Sequence, residues 1–270
     1  MTGPPVKIFI GSGEQSLLER KVLIYSLHKH TRRNLDISVF NGTHNSLERD
    51  GQAPELAPLP LDLKYRNQTE FSLYRYLIPQ LCTFKGRAIY LDSDIVCLSD
   101  IGDLFDLPMG DCDFLAKREY AEGDGEKMWG LSVMLIDCER ARFPLREIFS
   151  EIDQDRYTYT EFSQMGKQFR AHHSYHIGEL AEVWNSFDRA DRDTKIIHYT
   201  NLFSQPWKYS GHPHGSLWFA YLNEAREQGY VSDHDIDLTI QRGYARPDLR
   251  HGNGAPTAAK LGNLLKRFKR

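Results

Sequence analysis

"RAIYLDSDIVCL", residues 87–98, decides how this chain is read: an apolar run stops at two aspartates one residue apart and then turns apolar again. "AIYL" is apolar throughout, so it reads as a strand buried on both faces, as central parallel strands are. Buried carboxylates are costly unless paired. Residues i and i+2 of a strand project to the same side, so Asp92 and Asp94 can converge on one cation. Oxygen ligands of this kind suit Mg2+ or Mn2+, and such an ion suits a diphosphate. The motif alone says little, because Asp-x-Asp occurs six times: 92/94, 111/113, 153/155, 191/193, 233/235 and 235/237. A structural role is the alternative, with Asp94 capping the following turn and Asp92 accepting from loop amides.

The chain has 270 residues, 40% of them apolar and 12% aromatic, enough to fill the core of one large domain. The net charge of -3 mixes both signs along the chain, which gives no reason to expect nucleic acid as a partner. Cys82, Cys97, Cys112 and Cys138 form no CxxC pair and suit a reducing compartment. The N-terminus lacks a basic segment followed by a long apolar one, and no window approaches the roughly 20 apolar residues of a membrane span. The expectation is a soluble, cytoplasmic protein.

"VKIFIGSG" (6–13) reads as a strand ending in a Gly-Ser-Gly loop, followed by apolar residues at helical spacing and a second strand, "LDISVFNGT" (35–43). This strand-helix-strand opening favours a parallel α/β sheet, whose ligands sit at the carboxyl ends of strands. Residues 44–64, with three prolines, read as loop; 70–81 reads as a helix leading to the quoted strand. Ser99 suits the N-cap of a helical turn. "CDFLAK" and "LSVMLIDC" are further strands around a polar loop at 118–128, and 139–195 reads as mostly helical. "KIIHYT" (195–200) is a last short strand and 216–230 a last helix.

"KIIHYT" repeats the pattern of the opening stretch, since an apolar strand again ends in a ligand type, His198. Asp, Asp and His make an O,O,N set that shifts the preferred ion from Mg2+ toward Mn2+. The "HPH" at 212–214 is a rival source of imidazole, read as loop chemistry.

The ordered set "FSLYRYLIPQL…GRAIYLDSDIVCLSDIGDLF…SVMLIDC…WN…IIHYT…QPW" resembles the bacterial members of glycosyltransferase family 8, the lipopolysaccharide-galactosyltransferase and glycogenin type, over residues 6–222. The resemblance implies a GT-A fold, a mixed central sheet flanked by helices, over 1–244, with 245–270 as a basic tail. It implies a retaining, metal-dependent enzyme that moves a hexose from a UDP-sugar to a saccharide or lipid-linked saccharide, with Mn2+ or Mg2+ as cofactor. Lipopolysaccharide-core or capsule precursor synthesis is the implied setting. Asp92, Asp94 and His198 become the metal ligands. Gly11, Ser12, Arg75, Asp92, Ser93, Asn185 and Lys208 become contacts to the nucleotide-sugar, with Trp184 beside Asn185. For Arg75 the alternative is a salt bridge on a helix surface, and for Trp184-Asn185 a core Trp with a capping Asn.

Three departures from the family pattern stand out. The Asp-Gln-Asp that lies under the anomeric carbon in family members has a counterpart at 153–155, making Asp153 and Gln154 the catalytic candidates, with Glu161 as a rival. Leu131-Ser132 stand where many members carry a sugar-contacting Asn. Gln205 occupies the position of a phosphate-binding Lys, for which Lys208 is the proposed substitute. With no nucleophile in hand, same-face attack is the expected route.

In the tail, Leu261, Leu264, Leu265 and Phe268 recur at helical spacing among basic residues, a pattern suited to peripheral contact with the inner face of an anionic membrane. Two rival functions remain at this stage. A haloacid-dehalogenase-type phosphatase would use Asp92 as nucleophile and Asp94 as acid and base, and a non-catalytic sugar-nucleotide binder would explain the missing Lys and Asn.

Overall fold

A computed structural model describes residues 3–59, 69–120 and 127–251. In chain order the strands and helices are β1 (Val6–Ser12), α1 (Leu17–His30), β2 (Leu35–Asn41), β3 (Ser46–Arg49), β4 (Glu55–Leu56), α2 (Ile78–Leu81), β5 (Arg87–Asp92), β6 (Ile95–Cys97), α3 (Ile101–Phe105), β7 (Phe114–Tyr120), β8 (Lys127–Asp137), α4 (Leu145–Asp153), α5 (Tyr159–Ser163), α6 (Lys167–His172), β9 (Ile177–Glu179), β10 (Ser186–Phe187), β11 (Ile196–His198), α7 (Gly215–Glu227) and α8 (Asp233–Gln241). The chain divides into two compact units. Among the described residues one draws on 3–13, 33–59, 69–92, 102–120 and 127–182, the other on 14–32, 93–101 and 183–251.

The first unit holds an eight-stranded mixed sheet in the order β4-β3-β2-β1-β5-β8-β7-β9. β2, β1 and β5 run parallel, β8 joins β5 antiparallel, and Gly11 on β1 lies in register with Asp92 on β5. Ala88, Ile89, Tyr90 and Leu91 are fully buried, as an apolar run covered on both faces requires. The core gathers Phe9, Tyr90, Phe114, Met134 and Ile136 with Ile148, Phe162 and Phe169 from the helices after β8. Full burial of a side chain such as Phe162 contributes about 1.5–3 kcal/mol.

The second unit holds a three-stranded sheet, β10-β11-β6, together with α1, α7 and α8. Its core is built on Trp207, Trp218, Tyr199 and Tyr221, with Leu18 and Val22 from α1. A capping box, Ser232 with Asp235, starts α8, and Lys21 reaches the same Asp235 carboxylate at 2.7 Å.

Several local expectations need correction. Residues 70–81 are not one helix: a 3-10 turn, Tyr74–Leu77, precedes the single turn of α2. Pro79 has no N–H to donate, and the Ile78 N–H bonds the Arg75 carbonyl three residues back, which keeps the segment tightly wound. The stretch read as loop at 44–64 contains β3 and β4. The described residues of 118–128 are ladder, because β7 and β8 pair out to Tyr120 and Lys127; the Arg118 guanidinium lies 5.0 Å from the Trp129 ring centre, a cross-strand contact that polarity alone hides. The helix after β6 begins at Ile101, so the position before it belongs to Asp100 rather than Ser99. Past α6 the expected helical region turns into short strands.

Residues 245–251 pack in the second unit, with Ala245 and Leu249 buried and the Arg246 N–H on the Trp207 carbonyl at 2.8 Å. The amphipathic segment expected toward the end of the chain lies outside the described residues, as do 60–68 and 121–126. Among the described residues no helix is long and apolar enough to cross a membrane.

Candidate metal centre

Asp92 ends β5. Its Oδ1 accepts from the Tyr90 hydroxyl at 2.7 Å and pairs with the Arg75 guanidinium at 3.4 Å. Burial of the phenol holds Tyr90 well above its ordinary range, so it stays a donor. Arg75 is itself buried, 4.7 Å from the Tyr90 ring centre, which removes the surface salt-bridge alternative. Its Nε is buried and has no partner among the described residues. A guanidinium in that position has a donor left for an incoming anion. On β1, Gly11 leaves room for the Tyr90 hydroxyl and the Phe71 ring, both of which a Cβ would overlap, and Ser12 beside it is fully buried.

The chain continues from Asp92 through the buried Ser93 to Asp94, then into β6. β6 pairs antiparallel with β11 so that His198 opposes Ile95, and the Tyr199 N–H bonds the Asp94 carbonyl at 2.9 Å. This register brings His198 Nε2 to 2.9 Å from Asp94 Oδ1. On its other side His198 Nδ1 meets the side-chain oxygen of the fully buried Asn185 at 3.0 Å. Gln205, also buried, donates from Nε2 to Asp94 Oδ2 at 3.2 Å and to the Tyr199 carbonyl at 3.0 Å.

The donor set fits a divalent cation. An amide oxygen on Nδ1 fixes the proton there and leaves the neutral ring's lone pair on Nε2, facing a carboxylate oxygen. Two acceptors at 2.9 Å repel unless a proton or a metal stands between them, and an oriented imidazole with a buried second partner is the usual arrangement of a metal ligand. Asp94 and His198 each offer a ligand atom within the second unit, and Asp92 stands two residues before Asp94 in the chain.

The turn after His198 is tied down. Asp188, in the left-handed region at φ 50°, accepts from the Thr200 hydroxyl at 2.6 Å and the Asn201 N–H at 3.0 Å, and its second oxygen meets His212 Nε2 at 3.2 Å. His214 Nε2 accepts the Ala190 N–H at 3.2 Å. The "HPH" histidines therefore hold the two loops around β10 and β11.

Lys208 is half-buried, its N–H on the Gln205 carbonyl. It lies within electrostatic reach of Glu19, a fully buried carboxyl on α1 whose pKa burial raises to about 8. Trp184 is a core residue with Lys195 over its ring, and Leu131 is buried in the first unit's core. Asp153 and Gln154 are exposed at the end of α4, where the Gln154 amide bonds Ser150. Glu161 accepts the Gln168 N–H at the start of α6. Gln205, Tyr90 and Glu19 were missed as parts of the site. Only the apolar context of Tyr90, two residues before Asp92, signalled its place.

The fold is that of the GT-A glycosyltransferases, as likeness to solved structures shows. The galactosyltransferase LgtC, solved with donor and acceptor sugar analogues, superposes with a TM-score of 0.59 at 14% identity, covering 86% of this chain and all of that one. The bifunctional glycosyltransferase WbbM gives 0.56 at 14% identity over 88% of this chain, which spans about half (51%) of WbbM. Residues 60–143 match the model of glycosyl transferase family 8. Protein CDI of Arabidopsis thaliana is 24% identical over 86% of this chain and 91% of its own length.

Proposed function

We propose that this protein is a metal-dependent glycosyltransferase of family 8 that transfers a hexose from a UDP-sugar, with retention, to a hydroxyl of a saccharide or glycolipid. The observation that carries the reading is the His198 imidazole, braced by Asn185 and turned toward Asp94 at the end of a short strand, two residues from Asp92. Asp92, Asp94 and His198 would hold Mn2+ or Mg2+, which when bound neutralises the departing diphosphate. Arg75, whose Nε has no partner among the described residues, would bind the donor's phosphate or sugar oxygens, and Gly11 and Ser12 would line the nucleoside end. Gln205 keeps the Asp94 carboxylate aimed. Lys208 remains the candidate cation for the phosphates. Asp153 and Gln154 are not carried into this reading, because both are exposed and Gln154 is engaged within its own helix.

Calorimetric titration of UDP with Mn2+, with chelator, and into an Asp94→Asn variant tests the reading. Binding that needs the metal and is lost in the variant is the expected result. No UDP binding under any condition, together with phosphate release from a phosphomonoester, would replace it with the phosphatase reading. Tight UDP-sugar binding with no turnover on any acceptor would favour the non-catalytic binder.

A further inference from the structure

The carboxyl ends of β1 and β2 are bare of side chains at Gly13 and Gly42, and one residue exploits both. A Cβ on Gly13 would overlap the Glu70 carboxylate, with the Thr43 hydroxyl beside it, and a Cβ on Gly42 would overlap the Glu70 backbone carbonyl. Glu70 thus lies across the two strand ends, which are themselves joined by the Gly42 N–H on the Ser12 carbonyl at 2.8 Å. Its charge is also felt at the Tyr74 phenol, whose pKa burial first and Glu70 second raise to about 12.

The position matters because the same sheet edge carries Asp92. β5, β1 and β2 are neighbours, and the Glu70 carboxylate lies at Gly13 beyond β1, one strand spacing, about 5 Å, across the sheet from the Asp92 strand. A nucleoside that runs along this edge from phosphates at Asp92 meets Glu70 on its way to the end of β2. A carboxylate only accepts hydrogen bonds, and its two oxygens match the paired O–H donors of a ribose 2′,3′-diol. Acidic side chains at strand ends serve this purpose in other nucleotide-binding sheets.

We infer that Glu70 recognises the ribose of the nucleotide, its carboxylate accepting the 2′- and 3′-hydroxyl hydrogens at the carboxyl ends of β1 and β2. The assignment rests on the nucleotide-sugar reading above and adds the residue that discriminates the ribose.

The test is titration of UDP and 2′-deoxy-UDP, each with Mn2+, into the wild-type chain, Glu70→Ala and Glu70→Gln. The wild type is expected to bind 2′-deoxy-UDP at least about 10-fold more weakly than UDP, as loss of a hydrogen bond to a charged group implies. Glu70→Ala is expected to bind UDP about as weakly as the wild type binds the deoxy compound and to discriminate no longer, with Glu70→Gln between. Equal wild-type affinity for the two nucleotides would overturn the assignment while leaving the transferase reading intact. So would a Glu70→Ala protein that binds both more weakly yet keeps the full ratio, since that marks a strut. Failure of the wild type to bind UDP at all would overturn the underlying reading and this assignment with it.

Discussion

The side-chain oxygen of Asn185 meets Nδ1 of His198 at 3.0 Å, and the opposite nitrogen of the same ring faces Asp94 at 2.9 Å. The imidazole is therefore oriented from behind by a residue that touches no solvent. Asn185→Ala is expected to weaken Mn2+ binding about 10–100-fold, the usual effect of removing the partner of a metal-bound histidine. Titration of Mn2+ in the presence of UDP checks it, and unchanged metal affinity would mean that Asn185 serves packing alone.

Gln205 stands where a lysine is expected, and its amide is committed to Asp94 and the Tyr199 carbonyl. Restoring the lysine should not improve the protein. Gln205→Lys puts a fixed cation against Asp94 Oδ2 in a buried place, so the divalent ion is expected to bind at least about 10-fold more weakly, one like charge being worth a pKa unit or more at this range. Tighter diphosphate binding with intact metal dependence would show the opposite.

Glu19 ties stability to pH. Burial raises its pKa from the ordinary 4.5 to about 8, so between those values the folded chain holds a proton that the unfolded chain has released. Stability must fall as pH rises through that window, by about 1.4 kcal/mol per pH unit while this group alone titrates. Glu19→Gln keeps the shape and removes the proton. Thermal unfolding of both proteins from roughly pH 5 to 8.5 should give the variant a flatter profile and the advantage at the alkaline end. Parallel profiles would count against a buried carboxyl.

Ser232 caps α8 through the Asp235 N–H, while the Ser232 N–H bonds Asp235 Oδ2 at 2.7 Å. Ser232→Ala breaks one arm of this box and is expected to cost about 1 kcal/mol in denaturant unfolding, with UDP binding unchanged. A comparable loss in UDP affinity would show that α8 reaches the chemistry.

The sheet was legible where apolar runs were long: Ala88–Leu91 announced a buried strand, and the acids after it followed from cost alone. The far end of the β7–β8 ladder, out to Tyr120 and Lys127, was not legible, since its polar residues pair across strands and mimic a loop. The run from Phe71 to Leu81 has helical spacing, yet Pro79 limits it to tight turns. Asn185 and His198 could be listed from their residue types, but their 3.0 Å contact depends on two short strands pairing in one register. Gln205 looked like a defect because only its neighbour Asp94, 111 positions away, explains it.

The Asp188 clamp on Thr200 and Asn201 bears on what a ligand beside His198 would cost to bind. A turn beside a binding site that is already fastened by its own hydrogen bonds has little freedom left to lose when a ligand arrives. The ordering penalty is met once, when the chain folds, rather than at every encounter. A donor bound at this side, on the proposed reading, would find the turn already set, and the left-handed backbone of one aspartate is the standing cost of that readiness.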